Sequence, residues 1–131
     1  MSETETEIAE IEIDKAPEDV WPLVGDFGGL AWMPGVESVT VDGDVRTVAM
    51  GGMEIQERLV DLDEENQVIR YSILPGGPVP IDSHEAEIAV TPAGDGSRVS
   101  WSVTSAPAGT ASFLRDIYAG ALEALKAKAE G

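Results

Sequence analysis

Four side chains able to hold or pass a proton stand out in this sequence: Glu57, Tyr71, His84 and Asp26. A carboxylate and an imidazole sharing a dry cavity can exchange a proton with a small organic molecule, as general acid/base catalysis requires. His84, the single histidine, is the expected general base or acid. Glu57 or Asp26 would orient it or serve as the alternate acid/base partner, and Tyr71 would donate a hydrogen bond to a developing oxyanion. Burying a carboxylate beside apolar walls is costly unless it is paired or protonated, so an inward Glu57 needs a partner, and His84 is the expected one.

These residues share a face only if strands position them. Alternation sends every second side chain of a strand the same way. Glu57 then lies with Met53, Ile55 and Leu59; Tyr71 with Ile69 and Ile73; His84 with Ala86, Ile88 and Val90; Trp101 with Val99 and Val103. The opposite set, Gln56, Arg58, Arg70, Glu85, Glu87, Ser100 and Ser102, is polar, as an outer face should be. Other readings stay open. A bulge at Gly51-Gly52 would turn Glu57 to solvent. His84 sits near a proline-rich loop and also reads as a partly exposed structural residue; Asp26 also reads as the cap of the turn before Leu30.

The element that must face these strands is the last. Leu114, Ile117, Tyr118, Ala121 and Leu125 recur at spacings of three and four between Thr110 and Lys128, which predicts an amphipathic helix. Its small residues Ala119, Gly120, Ala121 and Ala124 permit either close packing or a roomy cavity. At the other end, Ile11 and Ile13 alternate with acidic residues in a first strand. Pro17 opens a short helix to Val24, and Leu30 to Met33 leaves room for one more helical turn before Pro34. From Val36 on, turn signals at Asp42-Gly43-Asp44, Gly51-Gly52, Asp63 to Asn66 and Pro92 to Gly96, with the connection Pro75 to Pro80, divide six further strands. The stretch Pro75 to Pro80 is rich in proline and glycine and is expected to stand clear of the sheet.

Composition narrows the partners. The chain has 131 residues, 25 acidic and 8 basic, a formal charge of -17, and no cysteine. It is expected to form one domain, 1–131, with residues 1–4 disordered. So acidic a chain repels nucleic acid and anionic membrane surfaces, and no apolar run approaches membrane-spanning length. The start lacks the apolar core of a signal peptide, so a cytoplasmic location is expected. A lone histidine with scattered carboxylates offers no metal-ligand spacing, and Gly25 to Gly29 does not match a dinucleotide fingerprint.

The order of strand, two short helices, six-stranded meander and long carboxy-terminal helix is similar to the helix-grip fold of the Bet v 1-like and START-like (SRPBCC) families. Asp26-Phe27, Trp32, Pro34, Gly51-Gly52, Glu57-Arg58-Leu59, Asp63, Tyr71 and Pro78-Val79-Pro80 resemble the running pattern of small bacterial polyketide cyclase/dehydratase members. His84 departs from it, standing where an early aromatic of strand six is expected. The resemblance implies an α+β domain whose seven-stranded antiparallel sheet wraps the last helix around a hydrophobic cavity. It implies a cofactor-independent cyclase, dehydratase or isomerase acting on a small hydrophobic molecule, or, alternatively, a non-catalytic carrier or sensor of such a ligand. The ligand-contacting set expected is Trp32, Met33, Met50, Ile55, Ile73, Ile88, Trp101, Phe113, Ile117 and Tyr118, with the Pro75 to Pro80 loop gating entry. A monomer or homodimer is expected.

Overall fold

The computed structural model describes residues 3–30, 32–74, 77 and 81–131. Seven strands form one antiparallel sheet: β1 (Glu5–Ile13), β2 (Val36–Asp42), β3 (Val45–Met50), β4 (Met53–Asp63), β5 (Val68–Ile73), β6 (Ser83–Ala93) and β7 (Gly96–Ala106). Their spatial order is β1-β7-β6-β5-β4-β3-β2, a meander whose last strand returns beside the first. Helix α1 (Pro17–Val24) follows β1, and α2 (Thr110–Glu130) packs against β1 and β7. The chain is thus α+β, with the sheet gripping its last helix.

Local chemistry explains the elements. Pro17 sits in the first turn of α1 beside Glu18 and Asp19, where acidic groups meet the positive end of the helix dipole. Gly25 ends the helix, its N–H donating to the Trp21 carbonyl at 2.8 Å. A side chain there would meet the Trp21 ring, so the close approach requires glycine. Gly51 and Gly52 both have positive φ, 59° and 79°, as the two-residue hairpin between β3 and β4 demands.

The second short helix expected at Leu30 to Met33 is instead a tight turn. Met33 N–H donates to the Leu30 carbonyl at 3.0 Å and Val36 N–H to the Met33 carbonyl at 3.4 Å, isolated turns that do not join into a helix because Pro34 lacks a donor; Ala31 lies outside the described residues. The β6–β7 hairpin is tighter than the expected Pro92 to Gly96 connection. Both strands run on to pair Ala93 with Gly96, leaving Gly94-Asp95 as the turn. Of the amino-terminal residues expected to be disordered, Met1 and Ser2 lie outside the described residues, and Glu3 and Thr4 are exposed without regular structure.

The core fills the space between the concave sheet face and the two helices. Ile69, Tyr71, Ala86, Ile88, Val90, Val99, Trp101 and Val103 point inward from β5, β6 and β7, with the period of two predicted for them. From α2, Leu114, Tyr118, Ala121, Leu122 and Leu125 meet them. Leu122 joins the buried stripe, whereas Ile117, expected within it, lies at its flank and is 40% exposed. Both follow from a helix repeat of 3.6, which spreads the stripe over more than one row of side chains.

Candidate functional site

The sheet and α2 do not close on each other completely, and a cavity of about 180 Å³ remains between them. Its walls include Trp32, Met33, Met50, Ile55, Ile73, Ile88, Trp101, Phe113, Ile117 and Tyr118, the set expected from alternation and resemblance, together with Glu57 and Tyr71. Phe113 is 61% exposed and Met53 45%, so these residues, with Ile117, form its mouth. The gating loop expected at Pro75 to Pro80 lies, apart from Gly77, outside the described residues. Arg46, Val24, Leu30, Val48, Met53, Ile69 and Leu114 complete the lining.

Glu57 points inward, so the bulge that would have turned it to solvent is absent at Gly51-Gly52. The β3–β4 register runs unbroken from Met50 opposite Met53 to Val45 opposite Arg58. The bulge in β4 comes later, between Leu59 and Asp61, and leaves Val60 exposed.

The partner of Glu57 is Arg46, not His84. Arg46 Nε donates to Glu57 Oε1 at 2.7 Å, and both side chains are largely buried. The cause is register: Arg46 is the residue directly across β3 from Glu57. Arg46 Nη1 donates to the Phe27 carbonyl at 2.9 Å, and the guanidinium carbon lies 4.5 Å from the centre of the Phe27 ring and 5.0 Å from that of Tyr71. Two aromatic faces and a carbonyl thus help replace the water that Arg46 gives up. Burial raises the Glu57 pKa above the usual carboxylate range, and the Arg46 charge and hydrogen bond pull part of that back.

His84 is buried within the core and does not line the cavity. Its Nδ1 accepts the Ile73 N–H at 3.0 Å, and its Nε2 lies 3.1 Å from Tyr118 Oη. Burial lowers its pKa to about 4, so the ring is neutral at physiological pH. The general acid/base role expected of His84 thus loses its geometry, since the imidazole reaches neither Glu57 nor the cavity. Asp26 is exposed in the turn after α1, its carbonyl accepting the Gly29 N–H at 3.0 Å, and it does not enter the cavity either. The chain reverses at Gly28-Gly29 before it reaches the cavity wall at Leu30, which leaves Asp26 on the solvent side.

Aromatic groups form the floor. Trp101 stacks on Tyr118 with ring centres 4.0 Å apart and planes 4° from parallel, and Trp32 meets Trp101 edge-on at 6.0 Å. Trp101 Nε1–H donates to Tyr71 Oη at 3.1 Å, and Trp32 Nε1–H to the Leu23 carbonyl at 3.1 Å. Burial pushes both tyrosine hydroxyls well above their ordinary pKa, so each remains a neutral O–H. Among the described residues no group of histidine and carboxylate side chains is arranged to hold a metal ion, and no helix is long and apolar enough to cross a membrane.

A model of the family described as polyketide cyclase / dehydrase and lipid transport matches residues 5–130. The chain belongs to this family. Among solved structures it is similar to an uncharacterised protein from Bacillus thuringiensis, with 28% identity over 97% of this chain and all of that one, at a TM-score of 0.90. It is also similar to the protein XoxI from Bacillus cereus, with 30% identity over 98% of this chain and 95% of that one, at a TM-score of 0.84. Norcoclaurine synthase from Thalictrum flavum shares the fold at 18% identity, covering 98% of this chain and 96% of its own, with a TM-score of 0.74. Among curated proteins none matches the chain. Membership places this family protein in the SRPBCC superfamily with a Bet v 1-like ligand-binding fold.

Proposed function

We infer that this family member is an enzyme that moves a proton on an apolar, oxygenated molecule of about one ring, with Glu57 as the acid/base group. The observation that carries this reading is the Arg46–Glu57 pair, charged groups set into a wall made otherwise of aliphatic and aromatic side chains. Glu57 takes the role expected of His84, because it faces the cavity and its raised pKa brings its protonated and ionised forms closer to neutral pH. Arg46 supplies positive charge where oxygen would become negative.

The chemistry this supports begins with Glu57 removing a proton from carbon beside a carbonyl, the electron pair moving onto the oxygen near Arg46. In a substrate with a double bond next to that carbon the proton on Glu57 then returns to the far end of the double bond as the pair on oxygen re-forms the carbonyl, which is isomerisation. In one with a β-hydroxyl it goes to that hydroxyl, which leaves as water as the carbonyl re-forms, which is dehydration. Cavity size sets the ligand class. A cavity of about 180 Å³ compares with the ~150 Å³ that accommodates benzene and lies below the ~300–1,000 Å³ of sites for drug-sized ligands. It is too small for a long acyl chain, which argues against a lipid carrier.

The test is deuterium exchange followed by proton NMR. A one-ring ketone such as acetophenone, incubated in D₂O with catalytic amounts of protein, is expected to lose its methyl protons faster than in buffer, and Glu57→Gln should abolish the excess. A second reading, binding without turnover, is favoured by the short Arg46–Glu57 contact, which holds the carboxylate occupied. A ketone that binds and does not exchange would establish it and overturn the enzyme.

A further inference from the structure

Below the cavity runs a buried polar chain that the acid/base reading does not use: His84, Tyr118, Tyr71 and Trp101. Ile73 N–H donates to His84 Nδ1, so in the neutral ring that nitrogen is bare and the proton sits on Nε2. Nε2 can therefore only donate to Tyr118 Oη. At the other end the Trp101 indole, a donor only, donates to Tyr71 Oη. Each tyrosine oxygen thus accepts a hydrogen bond from outside the pair.

The protons can be counted. Two tyrosine O–H groups remain to be placed, and even a bond from one hydroxyl to the other would use only one of them. The other has no acceptor among the described residues, because His84 cannot take it, and both tyrosines line the cavity. A histidine of the opposite tautomer would have accepted it and closed the chain. The backbone N–H of Ile73 is what prevents this.

We propose that one tyrosine O–H is held in reserve for the ligand, that the ligand presents a neutral carbonyl oxygen to it, and that His84 is the residue that positions this donor. Neutral carbonyl is favoured over carboxylate because Glu57 faces the same space and would repel a second buried anion. The proposal rests on the cavity being the site of a carbonyl ligand, as inferred above, and adds the tyrosine donor that meets that oxygen and the residue that positions the donor.

Infrared spectroscopy of bound acetophenone, labelled with carbon-13 at the carbonyl, reads the donor directly. Its carbonyl band is expected below its position in hexane when bound to the wild type, and back toward that position in the double variant Tyr71→Phe/Tyr118→Phe, which keeps Arg46. A hexane-like band in the wild type overturns the proposal, as does an unmoved low band in the double variant, which would make Arg46 the donor. Nitrogen-15 NMR of the single imidazole needs no variant: protonated Nε2 is expected, and protonated Nδ1 overturns it. Failure of acetophenone to change the tryptophan fluorescence would instead count against the ligand site, with the imidazole spectrum still deciding the proton order.

Discussion

Arg46→Met should destabilise the protein strongly at pH 8 and weakly at pH 5. The variant keeps most of the side chain's length and removes only the guanidinium, leaving Glu57 buried among apolar groups. Removing one partner of a buried pair costs about 3–5 kcal/mol, most of it the penalty of the charge left behind. Loss of the Nη1 bond to the Phe27 carbonyl adds about 1 kcal/mol. Glu57 escapes its share by taking up a proton. Its folded pKa, already above the ordinary 4.5, rises further once the Arg46 charge and hydrogen bond are gone. A carboxyl with a raised folded pKa is tolerated while protonated, and its stability contribution falls as pH rises from the unfolded value through the folded one. The full cost is therefore expected at pH 8 and much less of it at pH 5. Urea denaturation of variant and wild type at each pH gives the difference directly. Adding Glu57→Leu should recover at least about 2 kcal/mol at pH 8, since a matched apolar pair replaces a buried ion pair with little loss. A cost below about 1 kcal/mol at pH 8, or an equal cost at both pH values, would refute the buried-pair reasoning.

His84 titrates with the opposite sign. Its folded pKa is depressed from 6.5 to about 4 by burial, so its contribution is complete above pH 6.5 and is lost as pH falls toward 4. At about 1.4 kcal/mol per pH unit the loss is about 3 kcal/mol; an imidazole NMR midpoint near 6.5 would contradict it. Gly96→Ala is expected to cost about 1–3 kcal/mol, because its methyl would press on the Ile13 carbonyl, a backbone group that cannot swing aside. Thermal unfolding checks this, and an unchanged midpoint would contradict it.

Much of the fold is legible in the sequence because turn chemistry and alternation agree with each other. The Arg46–Glu57 pair was legible too, and strand-by-strand argument misses it. Gly51-Gly52 marks a two-residue hairpin, and counting outward from Met50 opposite Met53 places Arg46 opposite Glu57 without further information. His84 is a different case. That it faces inward follows from alternation, but its partners, the Ile73 amide and a tyrosine on α2, depend on how the helix seats across the sheet. The same holds for Ile117 and Leu122, whose exchange of roles is a matter of helix rotation of less than one residue's arc. The β4 bulge is hidden because Leu59, Val60 and Leu62 are all apolar and give no sign of which face each takes.

The most direct test of the cavity as a ligand site uses its methionines. Met33, Met50 and Met53, three of the four in the chain, line it. With carbon-13 methyl labels, a one-ring ketone such as acetophenone is expected to shift these three signals in a saturable manner, while a long-chain fatty acid leaves them unchanged at equal concentration. Methyl signals that ignore the ketone, or that respond to the fatty acid instead, would contradict the size and chemistry assigned to the site.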